Sequence, residues 1–273
     1  MKRKSLAIPI RIAGFSDSSQ VVRFLTREQG IVEAIAKGAH RERNAFQGPF
    51  DLAVLWEIVF VERPAERGLS IVTEGIVLDP LRGLRASWRR WSAAAFVLEW
   101  ARFVGTSGPE GELFDHVLIS LRALTTIGIG AAEEAGIALA LVTFESRALR
   151  LLGFLPPLSS CAACERPWSR ADRPVFFAPE SGGILCGKCQ AKEASKWGRL
   201  VPGHVVRSLD QIACGGPLPE SSREASVESG GSTWLTAEDL SELERLLARL
   251  RSFHLDDRMG RLQYAPQIRG ARR

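Results

Sequence analysis

The chain has 273 residues, of which 45% are hydrophobic and 25% charged, a balance ordinary for a soluble globular protein and a length that suits two domains. Its longest apolar stretch, 137–144, is closed off by Glu134 and Glu145 and falls far short of a membrane span. The basic start Met1-Lys2-Arg3-Lys4 imitates a secretory leader, but Pro9 and Arg11 interrupt the apolar run behind it, so the chain is expected in the cytoplasm.

The net charge of +5 is modest, and its placement is uneven. The first 43 residues carry nine Lys and Arg against four Asp and Glu, an excess equal to that of the whole chain. A basic face on a small domain is the footprint of a polyanion partner, and without a membrane signal the polyanion to expect is nucleic acid. The competing reading is a solvated surface.

Residues 1–80 read as strands and turns, with strands at 5–12, 21–25, 31–36, 52–61 and 69–78. Five short strands with glycine-bearing turns fit a small closed barrel, and the OB-fold is the barrel of that size used on nucleic acids. After Asp79-Pro80 the period changes to 3.6. Trp88, Trp91, Ala95 and Leu98 fall on one helical face beside Arg85, Arg89 and Arg102, a stripe that reads as core, although aromatics next to arginines can also stack bases. Helices follow at 113–124 and 131–152, the second stopping at Gly153 with Pro156-Pro157 beyond.

Two cysteine pairs come next, Cys161-x-x-Cys164 and Cys186-x-x-Cys189. Each pair can offer two thiolates to a tetrahedral ion, and the connecting segment is long enough to fold both onto one metal, with Phe176, Phe177 and Gly182-Gly183 placed as in the hairpin of a zinc ribbon. One structural zinc is therefore expected in a module at about 158–192, the alternatives being bare thiols or disulfides. Four thiolates leave no coordination position for chemistry. His40-Arg41-Glu42 has the H-x-E form of a zinc deaminase, but Ser160 and Leu185 stand where that signature needs proline. Cys214 is left as an unpaired bystander.

The segment 214–233 is rich in Gly, Ser, Pro and Glu and reads as a flexible loop within a helical domain of 81–273. Thr236 with Asp239 predicts a capping box, followed by a stripe of Leu240, Leu243, Leu246, Leu247 and Leu250. The chain ends in a basic tail containing Arg258, Arg261, Arg269, Arg272 and Arg273. His40, His116, His204 and His254 are scattered, no phosphate loop or nucleophile motif is present, and no catalytic residue is expected. The expected class is α+β: an N-terminal OB-fold barrel, then an all-α domain carrying a four-cysteine zinc module.

Several segments together resemble the RecO family of bacterial recombination mediators. Phe24-Leu25-Thr26-Arg27-Glu28-Gln29-Gly30 is similar to the family's early strand and turn, and Ala36-Lys37-Gly38-Ala39-His40-Arg41 to its basic segment. Leu152-Gly153-Phe154-Leu155-Pro156, the run from Phe176 to Cys189 and the ending Phe253-His254-Leu255-Asp256-Asp257-Arg258 continue the likeness over nearly the whole chain. The resemblance implies a protein without enzymatic turnover that binds single- and double-stranded DNA, anneals complementary strands and, with RecR, loads RecA recombinase onto DNA coated by single-strand-binding protein, whose C-terminal tail is a further partner. It implies phosphate contacts at Lys37 and Arg41, joined by Arg43, with Arg11, Arg23 and Arg27 as further candidates, in a cytoplasmic, nucleoid-associated bacterial protein. The reading from another class is a zinc-stabilised protein-interaction scaffold with incidental DNA binding.

Overall fold

The computed structural model describes residues 1–63, 68–106, 108, 110–168, 173–192, 198–215 and 235–255. Apart from Cys214 and Gly215, the expected loop at 214–233 lies outside the described residues, as do the arginines of the basic tail. The fold is α+β, and the described chain divides into two compact units, one containing Met1–Ile129 and the other running from Gly130 onward.

In the first unit β1 (Lys2–Ser16), β2 (Ser19–Thr26), β3 (Gly30–Ala36), β4 (Leu55–Val61) and β5 (Ser70–Asp79) close into a barrel in the order β1-β2-β3-β5-β4. Ala34, Ile35 and Ala36 of β3 run parallel to Ser70, Ile71 and Val72 of β5, and the remaining pairs are antiparallel. This is the expected OB-fold arrangement. Strand alternation sends Val22, Phe24, Val32, Ala34, Trp56, Ile58, Phe60 and Val72 into one core. The long β3–β4 connection adds Phe46 and Phe50, the Phe50 ring lying 4.4 Å from Trp56 and 5.2 Å from Phe24. Buried Gln20 fixes that connection: its amide donates to the Phe50 carbonyl at 3.2 Å and its oxygen accepts from the Phe50 N–H at 2.9 Å.

Helices α1 (Trp88–Val104) and α2 (Gly111–Thr126) belong to the barrel's unit. The strand-to-helix change thus falls after Asp79, whereas the compact unit extends to Ile129, because α1 and α2 pack on the barrel. Gly30 shows how closely they approach. Its φ is +65°, and a Cβ there would lie 2.3 Å from the Gly108 carbonyl oxygen and 2.4 Å from that of Thr106.

The core face of α1 keeps Leu98 of the expected stripe, with Trp91 half-buried, but not Trp88 or Ala95. Trp88 is 52% exposed and Ala95 is exposed, while Ala93, Ala94, Val97, Trp100 and Ala101 are buried. The helix is apolar nearly all round, so periodicity alone does not select a face. Arg90 is buried at 4% exposure because its guanidinium donates to the carbonyls of Gly83 and Thr125, each at 3.3 Å, and of Ile127, closing the C-terminal end of α2.

The second unit holds α3 (Glu133–Leu151), a small sheet of β6 (Val175–Ala178), β7 (Gly183–Leu185) and β8 (Arg199–Val201), a single turn α4 (Gly187–Gln190), and helices α5 (Gly203–Ala213) and α6 (Ala237–His254). β6 and β7 form the hairpin expected within the four-cysteine module, and β8 adds a strand beside β6. At the start of α6 the capping box is present: Thr236 Oγ1 accepts from the Asp239 N–H at 3.1 Å and Asp239 accepts from the Thr236 N–H at 2.9 Å.

Candidate nucleic-acid interface and metal centre

β3 leaves the barrel at Ala36, and the basic segment turns at once. Gly38 takes φ +70°, its N–H donates to Ser19 Oγ at 3.2 Å, and its carbonyl accepts from the Arg41 N–H at 3.0 Å. The His40 N–H donates to the Ser18 carbonyl at 3.1 Å, tying the turn to the tip of the β1–β2 hairpin. Asn44 then donates to the carbonyls of Arg41 at 2.7 Å and Ala39 at 3.2 Å, and accepts from the Phe46 N–H at 2.7 Å. The segment is therefore fixed at both ends, and Lys37, Arg41 and Arg43 project exposed from it.

Electrostatics separates these cations from the rest of the N-terminal set. Lys2 pairs with Glu74 at 2.7 Å, Arg3 with Glu62 at 2.6 Å and Lys4 with Glu57 at 2.8 Å. Arg23 reaches Glu33 at 3.6 Å, and Arg27 grips both oxygens of Asp115 on α2 at 2.9 and 2.8 Å. That fork raises the Arg27 pKa and lowers that of Asp115. Among the described residues Lys37, Arg41, Arg43 and Arg11 form no ion pair. Arg11 lies directly across from Arg23 on the β1–β2 pair, below the hairpin tip. Three of the unpaired cations, Lys37, Arg41 and Arg43, thus share one pinned turn, while two of the six expected contacts, Arg23 and Arg27, already hold carboxylates of the chain.

A further residue, Phe15 of the hairpin tied to that turn, went unassigned in the sequence. It is 64% exposed. An aromatic between Gly14 and Ser16 in an otherwise small and polar turn was the available signal.

In the second unit the four cysteines meet. Cys161, Cys164, Cys186 and Cys189 bring their sulfurs within 4.8 Å of one another, and Cys164 Sγ lies 3.8 Å from Cys186 Sγ. A tetrahedron with Zn–S bonds of about 2.3 Å has edges of about 3.8 Å, so the donor set fits a single ion of zinc's size. The β6–β7 hairpin builds the site: Gly182 and Gly183 take φ of +79° and +134° at its turn, Cys186 opens α4, and the Ala162 N–H donates to the Ile184 carbonyl at 2.7 Å. Burial raises the Cys161 thiol, but N–H donors from Cys186, Ala163 and Cys164 outweigh it and bring its pKa to about 6. Hydrogen bonding to Cys186 and Cys164 pushes Cys189 up to about 12. All four are free of disulfides. Cys214 is exposed and also free, and its sulfur accepts from Arg150 at 3.3 Å.

Near the start of α1 the Arg89 guanidinium sits 5.4 Å from the Trp88 ring centre and that of Arg85 sits 4.8 Å from Trp91. Arg85 also donates to Asp51 at 2.6 Å and to the Leu52 carbonyl at 2.9 Å, which makes it a brace between the β3–β4 connection and α1. No described helix is long and apolar enough to cross a membrane.

Residues 1–81 match the family described as Recombination protein O N terminal, and residues 85–263 match Recombination protein O C terminal. The DNA repair protein RecO of Anaeromyxobacter sp. (strain K) is 33% identical over 271 residues, 97% of this chain and 96% of that protein. The RecO of Rhodopirellula baltica is 29% identical over 243 residues, covering 87% and 85%, and that of Symbiobacterium thermophilum 31% identical over 182 residues, covering 67% and 69%.

Proposed function

The chain belongs to the RecO family of DNA repair proteins, and we propose that it works there as a recombination mediator without enzymatic turnover, holding DNA by its phosphates on the barrel. The observation that carries this reading is the charge segregation within the barrel unit. Five of the nine cations among residues 1–43 are neutralised by carboxylates of the chain, and three of the four that are not, Lys37, Arg41 and Arg43, stand on the one turn tied to the β1–β2 hairpin tip.

Cations on a pinned turn bind a phosphate chain without reading sequence, so single and double strands are both ligands. Two strands held on one basic surface repel each other less, which favours annealing of complementary strands. In the family's terms this annealing, together with RecR, serves to load RecA onto DNA coated by single-strand-binding protein, whose acidic tail is the further partner. The four-cysteine cluster would hold one zinc ion, supplying structural closure of the β6–β7 hairpin and leaving no coordination position for substrate.

The test is the affinity of the protein for a single strand and for a duplex across a salt series. Affinity for both should fall linearly in log–log form as counterion release weakens. Affinity that does not respond to salt would reject the phosphate surface.

A further inference from the structure

Phe15 combines three features that a structural role does not require. Its ring is 64% exposed. In the β1–β2 ladder Gly14 pairs with Gln20 and Ser16 pairs with Ser19, so Phe15 is the extra residue of a bulge and has no cross-strand partner. Bulges re-aim side chains at the rims of barrels and beside functional sites. The hairpin tip that carries it is also the anchor of the basic turn, through Ser18 and Ser19.

The surroundings of the ring identify its partner. Its neighbours in the hairpin tip, Ala13, Gly14, Ser16 and the acidic Asp17, are exposed and small or polar, so the tip itself does not extend the ring into an apolar patch of the kind a protein surface takes up. Lys37, Arg41 and Arg43 leave the neighbouring turn exposed. A lone aromatic next to clustered cations is the pairing that grips single-stranded nucleic acid: cations track the backbone and the ring stacks on a base, with little preference among bases. A duplex keeps its bases stacked internally and offers the ring nothing.

We propose that Phe15 is a base-stacking residue that gives this turn an added hold on unpaired DNA. The inference rests on the phosphate-binding reading of Lys37, Arg41 and Arg43. Its function in the mediator would be to favour strands that still have bases to pair and to let go as they become duplex.

The experiment compares full-length wild type, Phe15→Ala and Phe15→Trp by fluorescence anisotropy at one salt concentration. The ligands are an oligothymidine, an abasic strand of the same length and a duplex, with melting temperatures recorded as a control for folding. Phe15→Ala should weaken oligothymidine binding about tenfold and leave the abasic strand and duplex unchanged, and Phe15→Trp should restore the loss. Equal losses on all three ligands, or none, would overturn the assignment. A parallel Lys37→Glu, Arg41→Glu variant separates the two readings. If it leaves every affinity unchanged, the phosphate surface itself fails; if it weakens all three while Phe15→Ala weakens none, only the stacking role fails.

Discussion

The backbone N–H of His40 donates to the carbonyl of Ser18 at 3.1 Å, joining the turn after β3 to the tip of the β1–β2 hairpin. Through this bond and the Gly38 N–H to Ser19 Oγ contact, the barrel presents its uncompensated cations from a held backbone and not from a free loop. A surface organised in this way loses little conformational entropy when a strand docks.

Lys37→Glu combined with Arg41→Glu is expected to weaken binding to single and double strands of any sequence alike. The slope of log affinity against log salt on single strands should fall by about 1.4, at about 0.7 for each lost contact. The fold should survive, since neither side chain is buried. Anisotropy titrations at several salt concentrations check this, and an unchanged slope would reassign the surface.

Cys164→Ser, or treatment with a strong chelator, should remove one equivalent of metal and destabilise the second unit while DNA affinity of the barrel persists. Apparent zinc binding energies of about 10–16 kcal/mol leave ample room for a large drop in melting temperature. Elemental analysis and calorimetry report both quantities, and cobalt substitution would display thiolate charge-transfer bands. A metal-free variant of equal stability would contradict a structural ion.

Arg90→Met keeps the aliphatic stem but strips the donors from the Gly83, Thr125 and Ile127 carbonyls. Leaving these buried acceptors unsatisfied should cost about 2–3 kcal/mol in a denaturant melt. A neutral outcome would mean that water replaces the guanidinium.

Glu145 on α3 and Arg251 on α6 form a buried ion pair. Burial raises the Glu145 carboxyl to about 7 even with Arg251 opposing it, against an ordinary value of 4.5. The folded state therefore binds this proton more tightly than the unfolded chain. Its contribution to stability is full below pH 4.5 and is lost as pH rises through 7. Arg251→Met strands the carboxylate, so the loss should be about 3–5 kcal/mol at pH 8 and smaller at pH 5, where a proton neutralises it. Melts at the two pH values decide, and a larger loss at pH 5 would reverse the sign.

Local rules made much of this molecule legible. Alternation and turn glycines disclosed all five barrel strands, although β4 begins at Leu55 and not at residue 52, because Ala53 takes a left-handed φ of 53° and its N–H turns to the Pro9 carbonyl. The capping box of Thr236 and Asp239 and the two cysteine pairs were readable because each is a short-range pattern with one physical meaning. Helix α5 was missed, since its stripe of Val205, Val206, Leu209 and Ile212 is short and begins just after Pro202. What sequence could not show was tertiary. Arg27 meets Asp115 across 88 residues, Arg90 is buried by carbonyls up to 37 residues away, and the bulge that turns Phe15 outward exists only in the register of β1 with β2.

Whether the barrel's basic turn promotes pairing of DNA strands is decided by fluorescence-detected annealing of complementary oligonucleotides precoated with single-strand-binding protein, across a salt series. The wild type should accelerate annealing, with an effect that fades as salt rises and is lost in the Lys37→Glu, Arg41→Glu variant. Acceleration that persists in that variant, or none in the wild type despite tight capture of the coating protein, would contradict a role for this turn and favour a protein-interaction scaffold.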